Sequence, residues 1–263
     1  MVACLSTLTR LESLYLGFYS HRSRPERATR RLPPLTRTLL PTLTDFQFKG
    51  VNEYLEDFAA QIDAPQLHVV QITFFNQLVF DVSQFSEFIG RAEKLRTLDQ
   101  ADLFFRRRSV EMKLYPQTDS GVGRTILAFG ILCRELEWQF SALVQVCNWS
   151  LPLLSTLGSL DIYVDTFPFG GAEVRQSDME MENAQWVELL QSFSAVENLH
   201  LDECTRLTCI ALSDLAGVAE MLPALRTIFL ARSTGLPKDK SHDLERFIAV
   251  RQFSSHPVTI RDV

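Results

Sequence analysis

The sequence predicts an α/β fold: a leucine-rich-repeat solenoid with a curved parallel sheet on its concave side, helices on its convex side and repeats of irregular length. Three observations carry that expectation. First, an apolar-x-x-apolar-x-apolar string recurs, its first apolar residue falling at Leu11, Leu43, Leu67, Leu95, Leu157, Val196 and Leu225. Second, between most copies the apolar period lengthens from that of a strand to that of an amphipathic helix. Third, successive copies are spaced 32, 24 and 28 residues apart from Leu11 to Leu95, and 39 and 29 apart from Leu157 to Leu225. Repeats of one strand plus one helix run at roughly 20–29 residues, and the longer gaps coincide with insertions. No unit of this kind buries its strand alone, so neighbours must stack. A doubly wound sheet also alternates strand and helix, but it wants Gly-rich strand-to-helix turns at a ligand site, and the sequence has none.

In chain order, Leu11-Glu-Ser-Leu14-Tyr-Leu16 comes first, preceded by Leu5 and Leu8 at helical spacing. So short a lead leaves no room for a cap over the first apolar face. We therefore expect one leucine-rich-repeat domain over residues 1–263 that is incomplete at its N-terminus. Residues 17–40 form a basic loop insertion, interrupted by Gly17, Pro25, Pro33 and Pro34, through which no long helix can pass. Leu43-Thr-Asp-Phe46-Gln-Phe48 follows. Val51, Tyr54, Leu55, Phe58 and Ile62 then fall at helical spacing, with Asn52 as the expected N-cap and Pro65 closing the unit.

Leu67-His-Val-Val70-Gln-Ile72 leads to a helix over about 82–90 that turns Phe85, Phe88 and Ile89 inward. Leu95-Arg-Thr-Leu98-Asp-Gln is degenerate at its last position. From 101 to 133 the repeat fades. Residues 109–115 and 124–133 read as strands, either a hairpin inserted at the edge of the stack or two units without helices. A helix over 134–147 carries Leu136, Phe140, Leu143, Val144 and Cys147 on one stripe. Leu157-Gly-Ser-Leu160-Asp-Ile162 restores the string, and an acidic loop insertion spans 166–182. Helices are expected around Trp186–Phe193, over 206–222 and from Ser241 to Phe253, and His256–Ile260 reads as a final strand.

The hydrophobic share of 46% with 22% charged residues suits a globular chain, and 263 residues can bury a large core. Net charge is −6, which gives the whole chain no electrostatic pull on polyanions. Charge is nevertheless uneven: Arg22, Arg24, Arg27, Arg30, Arg31 and Arg37 crowd residues 21–37 against Glu26 alone. That arm could bind phosphates or acidic partners; a solvated insertion is the plainer reading of such a run. Cys4, Cys133, Cys147, Cys204 and Cys209 are odd in number and widely spaced, which argues against a disulfide framework or a zinc cluster. With no secretory leader and no long apolar run, an intracellular chain, cytoplasmic or nuclear, with no membrane segment is expected. No cofactor motif is present: Gly121-Val-Gly123 lacks the Gly-Lys-Ser of a phosphate loop.

Val196-x-x-Leu199-x-Leu201-x-x-Cys204-x-x-Leu207-Thr208 resembles the cysteine-containing repeat of F-box leucine-rich-repeat proteins. Phe48-Lys-Gly-Val-Asn-Glu-Tyr-Leu-Glu-Asp57, Ile62-Asp-Ala-Pro65, Ile72-Thr-Phe-Phe-Asn-Gln77 and Gln145-Val-Cys147 are similar to a large fungal, basidiomycete-type family of such proteins. The resemblance runs from about residue 40 to 230. It implies the substrate-recognition half of a ubiquitin-ligase subunit, a non-catalytic scaffold for a protein partner. The F-box itself has no room before Leu11.

Alternate strand residues point to opposite faces, so residues between the apolar positions should face the concavity. They are Tyr15, Asp45, Gln47, Gln71, Asp99, Asp161, Tyr163, Asn198, His200, Asp202 and Phe229, the expected partner-binding face. Ser159, Asp161 and His200 resemble a hydrolytic triad only superficially, because such nucleophiles sit on strained turns with amide donors beside them. Cys204 is expected as a small buried plug under a turn.

Overall fold

The computed structural model describes residues 7–18, 37–75, 77, 79–116, 126–133, 136–150, 153–164, 183–201, 222–230, 249, 251–252 and 257–262. Residues 19–36 of the basic loop expected at 17–40, the acidic loop at 166–182, all but Leu222 of the helix expected over 206–222, Asp202, Cys204 and nearly all of the helix from Ser241 lie outside them.

The chain forms β1 (Ser13–Gly17), β2 (Thr38–Leu39), β3 (Asp45–Gly50), α1 (Asn52–Ala59), β4 (Ile62–Asp63), β5 (Val69–Phe74) and α2 (Ser83–Gly90). It continues with β6 (Leu98–Arg106), β7 (Ser109–Pro116), β8 (Leu127–Leu132), α3 (Leu136–Ser150), β9 (Ser159–Val164), α4 (Asn183–Gln191), β10 (Asn198–Leu201), β11 (Thr227–Leu230) and β12 (Thr259–Asp262). This is a mixed α/β architecture: one mostly parallel ten-stranded sheet in the order β1-β3-β5-β8-β7-β6-β9-β10-β11-β12, and a small parallel pair β2-β4.

Each apolar string enters its strand through the same turn. Leu11, Leu43, Leu67, Leu95, Leu157, Val196 and Leu225 each donate their amide to the carbonyl three residues earlier, at 3.0–3.4 Å. A second bond pattern recurs at four of the six boundaries between successive strings. The carbonyl of Glu12 accepts from both Thr44 and Asp45, that of Thr44 from His68 and Val69, that of Gly158 from Glu197 and Asn198, and that of Glu197 from Arg226 and Thr227. These junctions satisfy backbone groups that a buried turn would otherwise leave unpaired. They also hold the strands in register: Leu14, Phe46 and Val70 lie side by side, as do Leu160, Leu199, Ile228 and Ile260.

The helices lie on one face of the sheet, because only that face is apolar. Phe46 stacks on Phe58 of α1 at 5.1 Å, Phe85 of α2 meets Phe129 edge-on at 5.8 Å, and Phe105 stacks on Phe140 of α3 at 4.1 Å while touching Trp186 of α4. Fully burying such a side chain is worth roughly 1.5–3 kcal/mol, and aromatic pairs add about 0.5–1.5 kcal/mol. Two buried polar side chains of α1, Glu56 and Asn52, are bonded. Glu56 of α1 accepts from the amides of Gln84 and Phe85 at 2.8 and 2.9 Å, so one helix caps the next. Asn52 is not the N-cap of its own helix, a position held by Val51. Its side chain instead donates to the Asp81 carbonyl at 2.9 Å and accepts from Gln77, pinning the segment that leads into α2.

The succession expected of one strand per unit breaks between β5 and β9. The chain skips two positions to β6, returns antiparallel through β7 and β8 to lie beside β5, and crosses with α3 to β9 beside β6. Only Arg107 and Arg108 separate the paired residues Arg106 and Ser109. A parallel crossover needs a dozen or more residues, so β7 has to run back. The segment is thus a three-stranded meander; its β7–β8 pair is the hairpin that one of the two sequence readings had, but it sits in the middle of the sheet and not at an edge. The fourth string also slips. A bulge between Leu98 and Gln100 lets Ala101, not Leu98, pair with Leu160.

Candidate functional site

Among the described residues the face opposite the helices is open, and one row crosses it from edge to edge: Tyr15, Gln47, Gln71, Ala128, Lys113, Asp102, Asp161, His200, Phe229, Arg261. Five of the expected concave-face residues other than Tyr15 fall in this row, namely Gln47, Gln71, Asp161, His200 and Phe229. Tyr15, at 60% exposure, begins it. Asp45 and Asn198 stand in the row one step towards the strand starts, and Tyr163 one step towards their ends. Asp202 is outside the described residues. Asp99 does not take the place expected of it: the bulge moves it to the strand entrance, facing Gly158, whose amide binds the Asp99 carbonyl at 2.8 Å. Asp102 takes its place in the row.

The centre of the row is a polar cluster that the sequence reading missed in large part. Asp102 and Asp161 lie opposite each other on parallel neighbours and are 8% and 7% exposed. Gln100, in the preceding row, donates from Nε2 to Asp102 Oδ1 at 3.2 Å and to Asp161 Oδ2 at 2.9 Å. Tyr115 and Lys113 flank Asp102. His200 Nδ1 is 3.5 Å from Asp161 Oδ1, and its ring stacks on Phe229 at 4.3 Å. Phe104 and Tyr163 form a second stacked pair at 4.7 Å in the next row. Lys113 lies 4.8 Å from the Phe104 ring centre and 3.5 Å from Glu111, which Arg106 also meets at 3.4 Å.

Burial decides the protonation of this cluster. It raises the Asp161 carboxyl to about 7, with the neighbouring Asp102 adding to the rise and the Gln100 amide opposing it. Asp102 is also raised, chiefly by burial, against hydrogen bonds from Tyr115 and Gln100 and the charge of Lys113. Burial lowers His200. Two carboxylates so close do not both ionise readily, so near neutral pH the cluster retains a proton.

Ser159 is in register with Asn198 and not with His200, so the hydrolytic arrangement is not assembled as a nucleophile beside its base. Among the described residues, no group of three His, Cys, Asp or Glu could hold a metal ion, and no helix is long and apolar enough to cross a membrane. Of the arginine arm only Arg37 is described, paired with Glu87 at 3.3 Å.

Beside the cluster the face dips. Gln71, Ile72, Thr73, Glu111, Lys113, Ala128 and Gly130 line a depression of about 280 Å³. Its floor is β8, which turns Ala128 and Gly130 to it, with the exposed Leu132 farther along the same face. No protein-family model, no curated protein and no solved structure matches the chain.

Proposed function

We propose that the chain is a non-catalytic protein-recognition scaffold, a leucine-rich-repeat solenoid of the F-box type in its repeat region, acting inside the cell and reading its partner with the open sheet face. The observation that carries this reading is the single row of side chains running without interruption across ten parallel or antiparallel neighbours. A face of that width, polar and punctuated by aromatics, suits an extended polypeptide better than a small molecule, which calls for a concave and mostly apolar site. The repeat part of the proposal is supported by the shared entry turn at seven strings and by the paired-amide junction that recurs at four unit boundaries. In a fold of unique units such identity of backbone bonding has no reason to recur; in a stack it follows from repetition. The substrate-recognition role in a ubiquitin ligase rests on the resemblance of the strings alone.

Photo-crosslinking tests the reading. A benzophenone side chain placed at Tyr15, Gln71 or Phe229 on the open face, and at the exposed Trp138 on α3 as control, is irradiated in cells. One common polypeptide captured from the three open-face positions and not from Trp138 is the expected result. Capture from Trp138 alone, or from none of them, contradicts it.

A further inference from the structure

The open face combines three features that together specify a partner's chemistry. The first is the depression over β8. A Cβ added at Gly130 would meet nothing closer than Thr73 Oγ1 at 3.7 Å, so packing does not require glycine there, and among the described residues the space above it is unfilled. The second is the carboxylate pair two and three strands away. Lys113, the cation nearest Asp102, is already engaged with Glu111 and the Phe104 ring. Asp161 is surrounded by Asp102, Gln100 and a His200 whose burial favours the neutral ring. The third is the aromatic border: His200 on Phe229 to one side and Phe104 on Tyr163 towards the strand ends.

We propose that this face takes an extended, arginine-bearing segment of a partner protein, its backbone crossing the depression over Ala128 and Gly130 and its guanidinium seated at Asp102 and Asp161 against the His200–Phe229 stack. This rests on the recognition reading above and names the chemistry recognised. Complementarity selects arginine. A seated cation displaces the proton the pair retains; the two adjacent carboxylates then match a planar fork of donors, and the flat cation also stacks on an aromatic plate, which a compact ammonium does less well. Dimensions agree. Neighbouring strands lie about 4.8 Å apart and an extended chain advances about 3.3 Å per residue. Roughly four residues therefore separate backbone in the depression from an arginine over the pair.

The test uses two fluorescent decapeptide libraries, degenerate except for one central residue, arginine in one and its uncharged isostere citrulline in the other. Binding to the full chain is read by polarisation. The expected result is at least tenfold tighter binding of the arginine library, reduced at least tenfold in the double variant Asp102→Asn/Asp161→Asn, which keeps shape and removes charge. Gly130→Ile, which fills the depression with a residue suited to a strand, should weaken the arginine library as well. Thermal melts confirm that both variants fold. Equal binding of the two libraries, or unchanged binding by the double variant, overturns the arginine seat. If the libraries bind equally and Gly130→Ile abolishes both, the open-face reading survives without the arginine seat. If neither library binds at saturating protein, both readings fall.

Discussion

Asp102 and Asp161 face each other across adjacent parallel strands, each more than nine-tenths buried, with the Gln100 amide donating to both. Such a pair favours a proton in the folded chain that the unfolded chain would release. Asp161 titrates near 7 when folded and near 3.8 in its ordinary state. Between those values the folded state binds more protons, so stability present below about pH 4 is lost as pH rises towards 7, by up to about 1.4 kcal/mol per unit for one proton. Glu56, raised to about 7 by burial, acts in the same direction. His200, lowered by burial, acts in the opposite one below its ordinary value of 6.5. Comparison with Asp161→Asn isolates the pair from both. Urea melts at pH 4, 6 and 8 should show the variant gaining on the parent as pH rises. Parallel curves would mean that Asp161 is ionised throughout.

Glu56 joins two units by capping the helix of the next. Removing its carboxylate in Glu56→Ala strands the buried amide of Phe85 and the half-buried one of Gln84; a buried amide left unpaired costs about 1–3 kcal/mol. Relaxation and water entry reduce the sum, and we expect a net loss of about 1–3 kcal/mol, within the range of lost N-caps. Glu56→Gln retains one acceptor oxygen and should lose less. Hydrogen exchange at residues 84 and 85, compared with exchange at α1, locates the effect. Uniform acceleration along the chain would point to global loss of packing in place of a lost cap.

The strings were legible because two independent constraints write them: alternation within each strand and a leucine that must plug the turn before it. Both survive in the residues at Leu43, Leu67 and Leu225, all buried. The residue between the last two apolar positions could therefore be assigned to the open face without knowing any neighbour. At Leu98 the rule fails, since a bulge changes register without changing which residues are apolar, and Asp102 stands where the string places Asp99. The meander was illegible for a different reason. Val110, Met112 and Leu114 announce a strand with one buried face, yet alternation says nothing about which strand lies beside it. Only the two-residue link Arg107-Arg108 hinted at an antiparallel return. Missing that return hid Lys113 and Tyr115, and with them half of the polar cluster. Glu56 was hidden as well, because its role depends on a helix nearly thirty residues away.

Phe105 is where the sheet, α3 and α4 meet, stacked on Phe140 at 4.1 Å and tilted against Trp186 at 5.8 Å. Phe105→Ala opens a cavity beneath the centre of the sheet, for which large-to-small changes cost about 3–5 kcal/mol. Phe105→Leu should recover a substantial part of that. Chemical denaturation with a tryptophan fluorescence readout follows both, since Trp186 borders the cavity. A loss below about 1 kcal/mol for the alanine variant would show that β6 does not lie over these helices.

The meander makes a distance prediction that separates it from a regular stack. Gln71 of β5 is in register with Ala128 of β8, with β7 and β6 beyond. Three strand spacings of about 4.8 Å then separate Gln71 from Asp102, whereas a stack of one-strand units would make them adjacent. Cysteines placed at Gln71 and Ala128, in a background with the native cysteines changed to alanine, should join rapidly through a linker spanning about 8 Å. The pair at Gln71 and Asp102 should require one nearly twice as long. Both pairs present their side chains on the open face, so reagent access is comparable and linker length is the variable that matters. Rapid short-linker closure at Gln71 and Asp102, with none at Gln71 and Ala128, would return β6 to the place beside β5. It would also take the depression over Gly130 away from the centre of the open face.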